Sequence, residues 1–267
     1  MPVSEPMLRD AREELALIAE AAREAGRLAM RHFRRDPQVW WKEGRSPVSK
    51  ADLEVDQFLR RVLTEARPGY GWLSEETADD KARLAAPRTF VVDPIDGTRA
   101  FLAGREVWCV SVAVVEDGRA IAGVLDCPAE GVCFTAARGA GARRNGTPIA
   151  VRNEGAELVL AGPKAMLAGL PEEIRTRVSL HPYVPSLACR IAMVAEGRLD
   201  ATFIKPAAHD WDLAAADIIL AEAGGSILDA AGRRPRYAGP DPRLGALAAG
   251  SGRLVGVMAE ALAGPAP

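Results

Sequence analysis

The sequence predicts an α/β or α+β protein in which helices and sheets pack in layers. Three observations indicate this class. Two amphipathic helical patterns come first, β-rich runs separated by short turns fill the middle, and strands alternate with helices from about residue 157. Because each sheet needs helices to cover its apolar faces, a layered arrangement follows.

Composition narrows the class of protein. The chain has 267 residues, of which 48% are hydrophobic and 26% charged, which suits a soluble protein with a large core. A formal net charge of -2 argues against binding nucleic acid through phosphate neutralisation. The sequence contains neither a long apolar run typical of a membrane span nor a signal-peptide pattern. We therefore expect a cytoplasmic location, with neither nucleic acid nor membrane as a partner.

The four cysteines show no pattern of a metal or disulfide framework. None forms a C-x-x-C pair, and none has a histidine nearby in sequence. We expect them to be buried free thiols in a reducing compartment.

The N-terminal part predicts two helices. Apolar residues recur near helical spacing over residues 7–35, and Asp36-Pro37 would end this helix. A second helix begins near Ala51 and has Asp52 in its first turn.

The middle of the chain predicts strands. A short one at Gly71–Ser74 ends at Glu75-Glu76, and another, buried, ends at Val92. Gly-containing turns then separate three β-rich runs, which predicts an antiparallel meander. The runs are Val107–Val115, Ala120–Leu125 and Gly131–Ala137.

The last part of the chain alternates between the two kinds of element. We predict strands at 158–161, 199–204, 226–228 and 247–249, and helices at 166–177, 186–196, 212–223 and 254–262. A soft boundary near residue 150 thus divides a single domain, 1–267, into two intimate halves of about 1–150 and 151–267.

The loop after Val92 carries the chemistry. Asp93 and Asp96 are separated by a proline and an isoleucine and followed by Gly97-Thr98. Proline fixes φ and glycine allows close backbone approach, so the loop should be tight. Two buried acids held together repel each other unless a cation or protons neutralise them. Oxygen ligands without Cys or His indicate Mg²⁺ or Mn²⁺ rather than zinc.

A helix that starts just after Asp96 would add an anion site. Its free N–H groups could receive a phosphate beside the cations. Hard cations next to such a helix start suit phosphoryl transfer to water.

These residues resemble those of a known family. Asp93-Pro94-Ile95-Asp96-Gly97-Thr98, with Glu75-Glu76 upstream and Trp211-Asp212 downstream, is similar to the inositol monophosphatase superfamily of Mg²⁺-dependent, lithium-sensitive phosphatases. The likeness covers nearly the whole chain, since the segments Ser46–Asp52 and Ala223–Gly225 also follow in family order. It implies an αβαβα sandwich with the metal site between its halves and a small phosphorylated metabolite as substrate. Homodimers are common in the family.

The resemblance also implies a role for each site residue. Glu75, Asp93 and the Ile95 carbonyl would hold a first metal ion, and Asp93, Asp96 and Asp212 a second. Glu75 would help to hold a weaker third, so that two or three Mg²⁺ ions take part, with Mn²⁺ as a substitute. Asp52 and Thr98 would orient and deprotonate the metal-bound water, while the Gly97 and Thr98 N–H groups grip the phosphate.

Substrate choice depends on two further positions. Inositol-selective members commonly carry a glutamate seven residues before the aspartate of the WD pair, where this chain has Lys205. A lysine there suits a leaving group with extra negative charge, and Arg99 could reach the same group. The leading hypothesis is a phosphomonoesterase of inositol monophosphatase type. The alternatives are a 3′(2′),5′-bisphosphate nucleotidase, a histidinol-phosphate phosphatase, and a catalytically silent relative that binds a phosphometabolite or a protein.

Overall fold

The structure is a computed structural model that describes residues 4–35, 38–41 and 47–264. Its helices are α1 (Glu5–Met30), α2 (Lys50–Ala66), α3 (Thr98–Leu102), α4 (Lys164–Ala168), α5 (Glu172–Arg175), α6 (Leu187–Ala195), α7 (Asp210–Glu222) and α8 (Gly252–Ala261). Its strands are β1 (Val39–Trp41), β2 (Pro47–Ser49), β3 (Gly71–Ser74), β4 (Arg88–Asp96), β5 (Cys109–Glu116), β6 (Arg119–Cys127), β7 (Val132–Ala137), β8 (Ala142–Arg144), β9 (Thr147–Pro148), β10 (Leu158–Ala161), β11 (Val178–Leu180), β12 (Ala201–Ile204), β13 (Ser226–Leu228) and β14 (Leu247–Gly250).

Seven strands form the first large sheet, in the order β3-β4-β5-β6-β7-β8-β9. Only β3 and β4 run parallel; every later pair is antiparallel. The meander predicted from the turn spacing is therefore confirmed. The turn at Asn145-Gly146 joins β8 to β9, and both of its residues have positive φ, as such tight hairpins require.

Five strands form the second large sheet, in the order β11-β10-β12-β14-β13. Strand β10 is parallel to β11 and β12, whereas β14 is antiparallel to both of its neighbours. The order differs from chain order because helices cross between the strands, as the alternating pattern predicted.

Helices fill three layers around these sheets. Helices α1 and α2 pack on one face of the seven-stranded sheet, and α6 and α7 pack between the two sheets. Helix α8, with α4 and α5, covers the outer face of the five-stranded sheet. The order of layers is therefore αβαβα, and the expected sandwich is confirmed. Buried apolar side chains form one cluster at each outer interface and one around the middle helices.

Some boundaries differ from the sequence prediction. Helix α1 ends at Met30, and the chain then turns through Arg34, whose φ of 59° is left-handed and incompatible with a continuing helix. The Asp36-Pro37 stop and Ser46 lie outside the described residues. The predicted helix 166–177 is two short helices, α4 and α5, because Pro171 falls between them.

No helix among the described residues is both long and apolar enough to cross a membrane. All four cysteines are free thiols, and all but Cys133 are buried.

A buried acid on α7 makes stability depend on pH. Asp217 accepts a hydrogen bond from the buried Tyr237 hydroxyl at 3.0 Å, while its Oδ1 has no partner among the described residues. Burial raises the pKa of Asp217 to about 6, against the opposing effect of the tyrosine hydrogen bond. The folded state therefore binds this proton more tightly than the unfolded chain, so its contribution to stability is present at low pH and is lost as pH rises through about 6.

We predict that Asp217→Asn stabilises the protein at pH 8 but loses this advantage near pH 4. A shift of about two pKa units corresponds to at most about 3 kcal/mol in the free energy of unfolding. Melting temperatures of variant and wild type across pH 4 to 8 test this. The exposed Glu260→Gln on α8 serves as control and should show no such trend. A constant difference between Asp217→Asn and wild type across this range would contradict the assignment.

Candidate active site

The end of β4 places two carboxylates in the interior of the protein. Register with β5 is regular to Asp93, which pairs with Ser111, and then shifts before Asp96, which pairs with Cys109. Proline at position 94 has no N–H to donate to a ladder, so this irregularity falls where the sequence allows it. The Ile95 N–H turns back to Asp93 Oδ1 at 3.0 Å, and both acids are buried.

Gly97 then redirects the chain into α3. Its φ of 98° is left-handed, and a Cβ built there would lie 3.2 Å from the Val107 carbonyl and 3.3 Å from Ser186 Cβ. Both the conformation and the close approach favour glycine. The helix predicted just after Asp96 begins at Thr98, as expected.

Residues at the start of α6 donate hydrogen bonds to Asp96. Ser186 Oγ donates to Asp96 Oδ2 at 2.5 Å, and the Ala188 N–H donates to the same oxygen at 2.6 Å. Ser186 also accepts from the Cys189 N–H at 3.0 Å, so one hydroxyl caps the helix and fixes the acid. Sequence reasoning missed this role, although Ser186 was predicted as the start of the helix.

Asp212 enters the site from the first turn of α7. Its Oδ2 accepts the His209 N–H at 2.7 Å, which fixes the carboxylate at the helix start. The Trp211 carbonyl accepts from Ser111 Oγ at 3.3 Å, and the Trp211 ring stacks on His209 with centroids 4.5 Å apart. Helix α7 is thereby attached to β5, the neighbour of β4.

Together these elements form an acidic cluster. Carboxylate oxygens of Asp93, Asp96 and Asp212 all lie within 4.8 Å of one another. A cavity of about 360 Å³ opens onto the cluster, and Glu75, at the end of β3, and Ile95 line it too. Thus the structure brings together all five sequence-predicted metal ligands.

The acids of the cluster repel one another, and their pKa values are raised. Burial and then the charge of Glu75 raise the pKa of Asp93 well above its usual range, and burial and then Asp96 do the same for Asp212. Burial raises the pKa of Asp96 to about 7, against the hydrogen bonds from Ser186 and Ala188. Acids so placed must be neutralised by protons or by a cation, and for a cation the all-oxygen ligand set fits Mg²⁺ or Mn²⁺.

Beside the cluster, Asp52 and Thr98 form a hydrogen-bonded pair. Ser49 and Asp52 make a capping box at the start of α2, in which Asp52 Oδ2 accepts the Ser49 N–H at 2.8 Å. Thr98 Oγ1 lies 3.3 Å from Asp52 Oδ1 and 3.1 Å from the Ile95 carbonyl. Burial raises the pKa of Asp52 to about 6. Asp52 thus reaches the cavity through the threonine hydroxyl.

A second, larger cavity of about 790 Å³ adjoins the first and shares Tyr183, Pro185 and Asp212 with it. The two residues proposed for substrate selectivity line different cavities. Arg99 lines the smaller cavity and Lys205 the larger. Arg190 and Lys164 also line the larger cavity, and sequence reasoning missed both because no local pattern distinguishes them from other basic residues.

Known proteins match nearly the full length of the chain. The model of the inositol monophosphatase family matches residues 10–263. A Streptomyces griseus protein named glucose-1-phosphate thymidylyltransferase is 35% identical over 235 residues, which cover 84% of this chain and 89% of that protein. A histidinol-phosphatase from Chlorobaculum parvum is 32% identical over 230 residues, covering 83% and 87%. An inositol-1-monophosphatase from Mesorhizobium japonicum is 32% identical over 231 residues, covering 80% and 85%.

A solved structure also matches nearly the whole chain. The crystal structure of the extragenic suppressor protein suhB from Bartonella henselae superposes with a TM-score of 0.80 at 28% identity, covering 95% of this chain and all of that one. Two of the three sequence relatives above carry phosphatase names. The family match extends over every candidate site residue from Asp52 to Asp212.

We predict that Asp93→Asn raises the melting temperature of the metal-free protein at pH 8, because it removes one of the mutually repelling charges. Added Mg²⁺ should stabilise the wild type, by about 2.7 kcal/mol at a hundred times the Kd, but not this variant. The control is Asp56→Asn, a buried acid on α2 that accepts from Ser74 and Thr77 outside the cluster and should keep the Mg²⁺ response. Equal stabilisation by Mg²⁺ in wild type and Asp93→Asn would show that the ion binds elsewhere.

Proposed function

The chain belongs to the inositol monophosphatase family, and we propose from that premise that it is a Mg²⁺-dependent phosphomonoesterase of inositol monophosphatase type. It would hydrolyse a small phosphorylated metabolite by direct attack of water. The observation that carries the proposal is the convergence of three aspartates, of which Asp93 and Asp96 are buried and Asp212 is half-buried, with the Asp52–Thr98 pair on one cavity.

The ligand set supports metal binding. Glu75, Asp93, Asp96, Asp212 and the Ile95 carbonyl would hold two or three Mg²⁺ ions, for which Mn²⁺ could substitute. Bound ions would neutralise the acids and lower the pKa of a water toward neutrality. Among the described residues that line the smaller cavity, the only side-chain hydroxyls are those of Thr98 and Tyr183, and none is a cysteine. This composition favours water over a serine or cysteine nucleophile.

The Asp52–Thr98 pair would take the proton from the attacking water. While Thr98 Oγ1 donates to Asp52, its lone pairs remain available to accept from water. The proton would pass from water to Thr98 Oγ1 as the threonine proton passes to Asp52. With a pKa of about 6, Asp52 is ionised at neutral pH and can accept it.

The start of α3 would bind the phosphate. Within this turn the Ala100 N–H donates to the Gly97 carbonyl at 2.8 Å. The Gly97 and Thr98 N–H groups precede it and would donate to phosphate oxygens. The leaving group would then extend past Asp212 into the larger cavity, where Lys205 could contact it, while Arg99 approaches from the smaller one. Lys205 favours, as a second candidate function, a 3′(2′),5′-bisphosphate nucleotidase.

We predict Mg²⁺-dependent release of phosphate from at least one of inositol 1-phosphate, adenosine 3′,5′-bisphosphate and histidinol phosphate. Side-by-side kcat/KM values for the three would rank the candidate substrates. Purified, folded protein that hydrolyses none of these and no member of a broad phosphomonoester panel would refute the enzyme proposal and favour a silent relative.

We further predict that Thr98→Ala lowers kcat by about 10² to 10⁴, because proton transfer to a positioned group is lost. KM should change much less, since the backbone N–H at position 98 remains. Thr98→Ser keeps the hydroxyl and should retain most of the activity, while Thr64→Ala, a half-buried threonine on α2 that donates to the Arg60 carbonyl, serves as control. If Thr98→Ala turned over at the rate of Thr98→Ser, the proposed proton path would be excluded.

A further inference from the structure

The larger cavity beside the acid cluster has a distinctive charge. Parts of five segments line it: the end of β10 with α4, residues 180–185, the first turns of α6, residues 205–208, and the first turn of α7. Among its described lining residues, Lys164, Arg190 and Lys205 are cationic, and Asp212 is the only carboxylate. Since Asp212 belongs to the acid cluster, the remainder of the cavity is positively charged.

Arg190 is the most constrained of these cations. Its Nη2 donates to the Phe203 carbonyl at 3.2 Å, and its buried Nε has no hydrogen-bond partner among the described residues. Within the described ranges, no carboxylate lies within ion-pair distance of its guanidinium. Burial lowers the pKa of Arg190, which reflects a charge without sufficient compensation. A partly buried guanidinium of this kind gains most from an anion that enters the cavity.

Lys164 and Lys205 are exposed at the same cavity, so their long side chains can adjust to a ligand. The rest of the lining is largely apolar and includes Leu160, Leu167 and Leu187. Apolar walls reduce the local dielectric and strengthen charge pairing. The volume of about 790 Å³ is ample for a small metabolite.

We propose that this cavity selects substrates whose leaving group carries a second anionic group, a phosphate or a carboxylate, with Arg190 as the inner contact and Lys205 and Lys164 as the outer ones. The proposal rests on the proposed function, because it assigns the cavity to the leaving group. It makes Arg190 a specificity residue and disfavours cationic leaving groups such as histidinol.

Two matched substrate pairs test this by turnover. Inositol 1-phosphate is compared with inositol 1,4-bisphosphate, and glycerol 2-phosphate with 2-phosphoglycerate; the first pair adds a phosphate and the second a carboxylate. For at least one pair, kcat/KM should be about tenfold or more higher for the anionic member, the effect of one charge-assisted hydrogen bond. The pair with the larger ratio identifies which anion is preferred.

Variants link that preference to the residues. Arg190→Gln and Lys205→Gln should each lower this ratio, chiefly by lowering kcat/KM for the substrate that carries the second anionic group. Lys205→Glu should abolish the preference. Arg253→Gln, on the exposed side of α8, is the matched control and should keep it. Because Lys205 is exposed, its variants test the proposal even if Arg190→Gln folds poorly.

A binding measurement separates this proposal from the catalytic one. Calorimetric titration with Mg²⁺ present compares two phosphonates that cannot be hydrolysed, 3-phosphonopropionate and propylphosphonate. Tighter binding of the carboxylate-bearing compound, lost in Arg190→Gln or Lys205→Gln, would support the inference even in a protein without turnover. Two results would overturn the inference and leave the phosphatase proposal intact. The first is equal binding of the two phosphonates together with equal kcat/KM within both substrate pairs. The second is a kcat/KM ratio that does not change in the Lys205 variants.

Discussion

Repulsion between buried carboxylates is the constraint on which this structure depends. Asp93 and Asp96 are buried, Asp212 is half-buried, and their carboxylate oxygens lie within 4.8 Å of one another. Two unit charges at about 4 Å repel by about 4 kcal/mol at an effective dielectric constant of 20. The fold must supply enough backbone donors to hold each acid, and still leave the cluster short of positive charge so that it binds cations.

The middle layer of the sandwich meets this requirement. Helices α6 and α7 lie between the sheets, and both begin at the acid cluster. The N–H groups at the start of α6 reach Asp96, and Asp212 lies in the first turn of α7, where the helix dipole favours negative charge. The raised pKa values of both acids indicate that these donors only partly offset burial. The layered architecture thus holds the acids together before any ion binds, which is the basis for proposing a cation site here.

Some features of the fold and the site could be predicted from the sequence, and others could not. The tight loop from Asp93 to Thr98 and the helix start after it could be predicted because proline, glycine and paired acids act locally, whereas the roles of Ile95 and Thr98 were implied by family resemblance. The strand and helix order followed from periodicity and turn residues, and was largely confirmed. Asp212 and Asp52 were assigned only through family resemblance, since nothing local indicates that they meet residues 93–98.

Other features required the tertiary structure. Ser186 reads in the sequence as an ordinary helix start, yet its hydroxyl bonds an acid 90 residues earlier in the chain. In the sequence Arg190 is one of many arginines. Only the packing shows that its guanidinium lines a cavity and donates to a single carbonyl among the described residues. Such roles depend on which surfaces the two sheets bring together, and residue spacing along the chain does not encode that.

The central claim is that the acid cluster holds the divalent cations on which hydrolysis depends. Anomalous diffraction at the manganese absorption edge, on crystals grown with Mn²⁺, tests it most directly. We expect anomalous density within coordination distance of carboxylate oxygens of Asp93, Asp96 and Asp212. Catalytically competent crystals with no anomalous density at this cluster, or with density only elsewhere, would contradict it.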